Sequence, residues 1–111
     1  MAGWNNVQEL PVRKTSWRGR SGRVYPLTPL SLREFSLTDS QLHLVTLGPQ
    51  VLWAGSARDI VQDAQSRARF RLALDCADRA YLVGECPDEI DRLTMIWDLE
   101  GAQPASDVAA A

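Results

Sequence analysis

The sequence predicts an α+β fold: a small three-stranded antiparallel sheet flanked by about three helices and preceded by a basic N-terminal arm. The chain has 111 residues, a length typical of a single domain. Two short runs rich in β-branched and aromatic residues lie in its middle, and helical apolar spacing follows in the second half. We therefore expect a basic arm over residues 1–22, one α+β domain over 23–104 and a disordered tail over 105–111.

The predicted arm shows no sustained hydrophobic periodicity, and the glycines and serine of residues 18–23 favour a loop. Trp4 and Trp17 are unusual in such a segment, and they suggest packing onto the domain or onto a partner. An extended segment then begins at Val24, because two prolines keep the residues before them out of the helical region. Residues 28–37 fit a strand or a short helical turn, of which we favour the turn.

The three strands of the sheet are predicted at 41–47, 51–55 and 80–84. The first two are rich in β-branched and aromatic residues, and the Gly48-Pro49 pair between them is a turn signal. They are therefore expected to form an antiparallel hairpin. The third is a short apolar run between two helical segments.

Three helices are predicted from capping signals and apolar spacing. Ser56 and Asp59 form a capping box that begins a short helix ending near Gln62. A second helix is expected over about 65–79. The third begins near Pro87 and ends at a glycine C-cap. Its buried stripe is predicted to consist of Ile90, Leu93, Ile96 and Trp97.

Charge is distributed unevenly along the chain. The whole chain carries a net charge of −2, whereas residues 1–35 contain six basic and two acidic residues. This asymmetry indicates either an arm that binds nucleic acid or a basic tail that folds over an acidic domain. In the first case arginines would contact phosphates and a tryptophan would stack on a base. The candidate nucleic-acid-binding residues are Arg13, Lys14, Trp17, Arg18, Arg20 and Arg23.

The sequence contains no recognisable catalytic or metal-binding set. Cys76, Cys86 and His43 lack the spacing of a common zinc site, so we expect no metal, no cofactor, and reduced thiols in a cytoplasmic protein. Acidic residues over 88–91 are explained by the start of a helix, where the dipole favours negative charge. Phosphate loops, dinucleotide fingerprints and nucleophile motifs are absent from the sequence.

One part of the sequence resembles a known family. Gln41-Leu42-His43, followed after nine residues by the segment from Trp53 to Asp59, is similar to the core motif of the GIY-YIG nucleases. The resemblance spans about residues 41–104 and implies three antiparallel strands with three helices. That family uses two tyrosines, an arginine and a metal-binding glutamate. The equivalent positions here are His43 and Trp53 for the tyrosines, Gly55 for the motif glycine, Asp63 for the arginine, and Met95 or Ile96 for the glutamate.

These substitutions imply a member of the family that does not cleave nucleic acid. We therefore expect a non-catalytic macromolecular binding module, with a protein as the favoured partner and self-association through an exposed strand as one route. Two alternatives stay open: a nucleic-acid binder that uses the basic arm, and an enzyme, either a remnant nuclease or a thiol chemistry at Cys86. Eleven of the twelve basic residues are arginine, a bias typical of a GC-rich bacterial or prophage gene.

Overall fold

The computed structural model describes residues 15–33, 36–85 and 88–105. Within these ranges the chain forms six strands and three helices. The strands are β1 (Thr15–Arg18), β2 (Val24–Leu30), β3 (Gln41–Leu47), β4 (Gln50–Gly55), β5 (Arg79–Glu85) and β6 (Gln103–Pro104). The helices are α1 (Ala57–Gln62), α2 (Ala64–Cys76) and α3 (Glu89–Glu100).

The six strands of the described residues form one antiparallel sheet in the order β4-β3-β5-β2-β1-β6. The α+β class is confirmed, but the prediction of a three-stranded sheet is wrong. The predicted strands are β3, β4 and β5, and the sheet continues through β2, β1 and β6. Residues 15–18, which we assigned to the arm, form β1.

The hairpin between β1 and β2 was missed because its turn has the composition of a loop. Gly19 donates its N–H to the carbonyl of Arg23 at 2.8 Å, and Gly22 donates to the carbonyl of Gly19 at 3.0 Å. Gly22 has a φ of +93°, a backbone conformation that glycine adopts without steric cost. The glycines that suggested an irregular arm are therefore the residues that close the hairpin.

The two prolines of β2 are accommodated because neither half of this strand pairs on both sides. Among the described residues, 24–27 pair with β1 and 28–30 pair with β5. Pro26 and Pro29 lie in different halves, so each lies beside an open side of the strand. A proline lacks the N–H needed for a second ladder, and such a position tolerates it.

Helices cover both faces of the sheet, and consecutive residues of β3 serve different cores. Leu44 belongs to the core beneath α3, whereas Val45 belongs to the core beneath α1 and α2. The first core contains Trp17, Tyr25, Leu27, Leu42, Leu44, Ala54, Tyr81, Leu99 and Ala102. The second contains Val45, Trp53 and Ala73, with Leu37, Leu52, Ile60, Phe70 and Ala77 packed against it.

The ends of the helices follow their local signals. The capping box of Ser56 and Asp59 is present and begins α1 as predicted. Asp88 accepts a hydrogen bond from the N–H of Ile90 at the start of α3, and Gly101 is the C-cap. α2 ends at Cys76, three residues earlier than predicted, because β5 already begins at Arg79. In the described part of the chain, no helix combines the length and apolar character needed to cross a membrane.

Candidate functional site

Helix α3 exposes its most conspicuous apolar residues to solvent. Ile90, Leu93 and Trp97 are 72%, 53% and 52% exposed. Spacings of three and four residues place the three side chains on one side of the helix. We call this surface the outer face of α3. The prediction that these three residues are buried is therefore wrong, whereas Ile96 packs partly buried against the core.

The opposite side of α3, which we call its inner face, buries Leu99 together with two charged residues. Leu99 is fully buried, and Arg92 and Asp98 are only 5% and 3% exposed. Met95 and Ile96 complete the contact with the sheet. A charge is tolerated in such a place only when it is paired and hydrogen-bonded. The orientation of α3 therefore depends on the partners of Arg92 and Asp98.

Arg92 ties the N-terminal part of α3 to α1. Its Nη1 donates to both carboxylate oxygens of Asp59, at 2.8 and 2.7 Å. Its Nε and Nη2 donate to Glu89 at 3.1 and 2.8 Å, and Arg58 donates to Glu89 at 2.7 Å. Asp59 also accepts the N–H of Ser56. The hydrogen bonds to Glu89 and Asp59 raise the pKa of Arg92, and Arg92 in turn lowers the pKa of Glu89.

Asp98 ties the C-terminal part of α3 to the turn between β1 and β2. Its carboxylate accepts the N–H of Ser21 at 2.7 Å, the Ser21 hydroxyl at 2.8 Å and the Tyr25 hydroxyl at 2.7 Å. Burial alone would raise the pKa of Asp98, but these hydrogen bonds outweigh it, and the pKa lies below its usual value. Burial and the hydrogen bond to Asp98 raise the pKa of Tyr25 to about 12. A Cβ at Gly19 would collide with the Asp98 carboxylate, which explains a glycine at this point of the turn.

The arginines in and beside the β1–β2 turn lie close to this contact between the turn and α3. The Nε of Arg20 donates to the carbonyl of Trp97 at 2.9 Å, and its guanidinium lies 5.2 Å from the centre of the Trp97 ring. A cation at the C-terminal end of a helix is favoured by the helix dipole. Arg23 lies 4.7 Å from the centre of the Tyr25 ring, and Arg18 donates to the carbonyl of Gly22 at 3.2 Å. Arg20 therefore holds the turn on α3, whereas Arg18 and Arg23 contact residues of the β1–β2 hairpin itself. All three arginines remain exposed.

The other candidate nucleic-acid-binding residues are placed differently. Trp17 is 2% exposed in the core, with its ring centre 5.9 Å from that of Tyr81, so it presents no face on which a base could stack. Arg13 and Lys14 lie outside the described residues. The exposed indole beside the arginines is that of Trp97, which the sequence assigned to the core.

The positions equivalent to the GIY-YIG motif do not present a reactive group to one common site. His43 is buried on β3, and this burial lowers its pKa. Trp53 lies in the core, donates its Nε1–H to the Ser66 hydroxyl at 3.0 Å and packs against Phe70. Gly55 ends β4 opposite His43. Asp63 is exposed and caps α2 by accepting the N–H of Gln65 at 2.9 Å.

Two grooves lie elsewhere on the surface. One of about 260 Å³ lies between β4 and α2 and is lined by Leu52, Leu72, Ala73, Cys76 and Arg69. A wider one of about 620 Å³ lies between the start of β4 and the residues that join α3 to β6. Neither brings together ionisable groups suited to acid–base chemistry. Among the described residues, no three His, Cys, Asp or Glu side chains are grouped to hold a metal ion.

Comparison of the chain with protein-family models, with curated proteins and with solved structures gave no match. The resemblance to the GIY-YIG nucleases therefore stays a prediction.

The sequence did contain a signal for the outer face. Of the twelve residues of α3, six are large and apolar: Ile90, Leu93, Met95, Ile96, Trp97 and Leu99. Together they surround most of the helix, whereas one sheet can bury only one side. An excess of apolar residues on a single surface helix thus indicated an exposed face. Which side faces inward depends on Arg92 and Asp98, whose hydrogen-bond partners lie far away in the sequence. Arg92 binds Asp59, and Asp98 binds Ser21 and Tyr25.

Proposed function

We propose that this protein is a non-catalytic binding module that holds a protein partner on the outer face of α3. The observation that carries the proposal is the inverted polarity of α3, which buries Arg92 and Asp98 and exposes Ile90, Leu93 and Trp97. Folding the monomer gains little from apolar groups that stay in water. Such a row on a rigid helix is typical of a surface that is covered by a partner.

The chemistry of the outer face favours a protein over a nucleic acid. Two of the three apolar residues of the outer face are aliphatic, and Asp91 adds an exposed carboxylate at the N-terminal end of α3, which disfavours phosphates there. Tryptophan together with aliphatic neighbours is typical of the centre of protein interfaces. Fully burying one such side chain contributes roughly 1.5–3 kcal/mol.

The side chain of Trp97 is held in place before any partner arrives. Arg20 lies over one side of the ring and is itself fixed to the Trp97 carbonyl. An anchor that is ordered in the unbound protein loses less side-chain entropy on binding. This arrangement supports a docking role for Trp97.

The proposal is tested with two double variants, each of which replaces two exposed aliphatic residues by serine. Ile90→Ser with Leu93→Ser alters the outer face, and Val61→Ser with Leu72→Ser alters α1 and α2, where both residues are also exposed. Each tagged protein is used to capture partners from a lysate of the organism that encodes the chain, with quantitation by mass spectrometry. We expect a protein that the wild type and the α1–α2 variant retain equally and that the outer-face variant loses at least about tenfold.

Equal capture by all three proteins would overturn the proposal. A nucleic-acid function is tested separately by the fluorescence anisotropy of a labelled single-stranded DNA. Binding that falls steeply between low and moderate salt, and that is lost in Arg18→Ala with Arg23→Ala, would replace the proposal with the nucleic-acid alternative.

A further inference from the structure

We infer that the partner on the outer face is a second copy of this chain, bound across a two-fold axis with the two α3 helices antiparallel. This inference rests on the proposed function, since it names the occupant of the same surface. Three features of α3 support it: the spacing of the apolar residues on its outer face, the opposite charges of its two ends, and the place of Arg20 beside Trp97.

The spacing of Ile90, Leu93 and Trp97 is that of a two-helix seam. Steps of three and then four residues are the a–d–a spacing by which two helices pack along their length. α3 has twelve residues and is therefore about 18 Å long. The middle of the row lies between Leu93 and Thr94. A two-fold axis at this point places each Leu93 against its counterpart and each Ile90 against the Trp97 of the other copy.

The two ends of α3 carry opposite charge. At the N-terminal end, Glu89 is paired with Arg58 and Arg92, and Asp91 adds an exposed carboxylate.

At the C-terminal end, the turn that docks on α3 supplies three arginines against two acidic residues of the helix. The arginines are Arg18, Arg20 and Arg23, and the acidic residues are Asp98 and Glu100. A helix with one acidic and one basic end meets complementary charges on its own copy only when the copy is reversed. A parallel arrangement would bring like charges together.

Arg20 has a defined position in such a dimer. Its guanidinium lies over Trp97, at the edge of the outer face, and the antiparallel arrangement brings the Asp91 of the other copy to this end. Each dimer then contains two equivalent Arg20–Asp91 pairs. Because these pairs lie at the rim, they set orientation, while the apolar row supplies most of the affinity.

The first experiment measures the dissociation constant of the purified full chain by sedimentation equilibrium over a wide range of concentrations. We expect a monomer–dimer equilibrium. Leu93→Asp places two like charges at the axis and should abolish the dimer, whereas Leu72→Asp on α2 should leave it unchanged. Far-UV circular dichroism and urea unfolding show whether each variant is folded.

The second experiment tests the antiparallel arrangement by charge reversal. Asp91→Arg alone and Arg20→Glu alone should each weaken the homodimer about tenfold. An equimolar mixture of the two variants should form heterodimers tighter than either homodimer, because each chain then meets its complement at both ends. A mixture no tighter than either variant would overturn the antiparallel arrangement.

The outcomes separate this inference from the proposed function. A chain that stays monomeric at every concentration, or a dimer that survives Leu93→Asp, overturns the inferred dimer. The proposed function still stands in that case if a different protein is captured through Ile90 and Leu93. If the chain forms no dimer and captures no protein through the outer face, both the inferred dimer and the proposed function are overturned.

Discussion

The two sides of α3 depart from the usual distribution of polarity, since charged residues are buried on one side and large apolar residues are exposed on the other. The inner face buries a guanidinium and a carboxylate, and the outer face exposes two aliphatic side chains and an indole. The buried charges are stable because hydrogen-bonding groups from α1 and from the β1–β2 turn meet them. The comparison teaches that directed polar contacts from neighbouring segments can orient a helix against its apolar pattern.

The largest expected difference between the two sides concerns one leucine on each. Leu99→Ala should lower the free energy of unfolding by about 2–5 kcal/mol, because Leu99 is fully buried and its removal leaves a cavity. Leu93→Ala should change it by no more than about 0.5 kcal/mol in dilute protein. Urea denaturation of both variants measures the difference. Similar losses in both would mean that the outer face also packs in the monomer.

Asp98 is the next test of the inner face. Asp98→Ala removes the acceptor of three hydrogen bonds and leaves polar groups of Ser21 and Tyr25 without it, so we expect a loss of about 2–4 kcal/mol. Asp91→Ala, which removes an exposed carboxylate from the same helix, should cost at most about 1 kcal/mol. Chemical denaturation of the pair is the measurement. Equal effects would contradict the structural role of the Asp98 junction.

Much of the chain after residue 40 could be predicted because its signals are local. The hairpin around Gly48-Pro49, the capping box at Ser56 and the C-cap at Gly101 each depend on residues a few positions apart. Such signals act within one turn or one loop, so they can be read from a single sequence.

The rest of the fold depends on contacts between distant segments. β1 pairs with β6 across more than eighty residues, and Asp98 meets Ser21 across 77 positions. No local sequence pattern predicts contacts between segments so far apart. The outer face could not be assigned for the same reason, since both sides of α3 carry apolar residues and the partners of Arg92 and Asp98 lie far away in the sequence. Trp17 was misjudged because a tryptophan near glycines is as compatible with an arm as with a hairpin.

The other charged residue of the inner face should matter less than Asp98. Arg92→Met keeps the length of the side chain but removes its hydrogen bonds to Asp59 and Glu89, and we expect a loss of about 1–3 kcal/mol. Arg58→Met removes an exposed pair with Glu89 and should cost at most about 1 kcal/mol. Thermal and urea unfolding compare the two. Raised salt should weaken the effect of Arg58 more than that of Arg92.

The smallest expected effect is the pH dependence of the Asp98 junction. Folding raises the pKa of Tyr25 to about 12. The contribution of Tyr25 to the free energy of unfolding is therefore complete below the unfolded pKa near 10 and is lost as the pH rises through about 12. Folding lowers the pKa of Asp98. Its contribution to the free energy of unfolding is therefore present above the unfolded pKa near 4 and is lost as the pH falls through the pKa of the folded state.

Tyr25→Phe should therefore remove part of the alkaline loss of stability. Tyr81→Phe, which replaces the other tyrosine of the chain, should retain that loss. Urea unfolding at a series of pH values measures both variants. An alkaline loss that is the same in both would show that Tyr25 does not titrate in this way.

The most direct test of the inverted helix is the reactivity of a thiol on each side. Leu93→Cys and Leu99→Cys are made separately in a chain whose two cysteines are replaced by Cys76→Ser and Cys86→Ser. Labelling with a maleimide is followed by mass spectrometry at low and high protein concentration. We predict that the thiol at 93 reacts rapidly in dilute protein and slowly in concentrated protein, whereas the thiol at 99 reacts slowly in both. Protection of position 93 at every concentration would contradict the outward face of α3, and rapid labelling there at every concentration would contradict docking of a second copy on it.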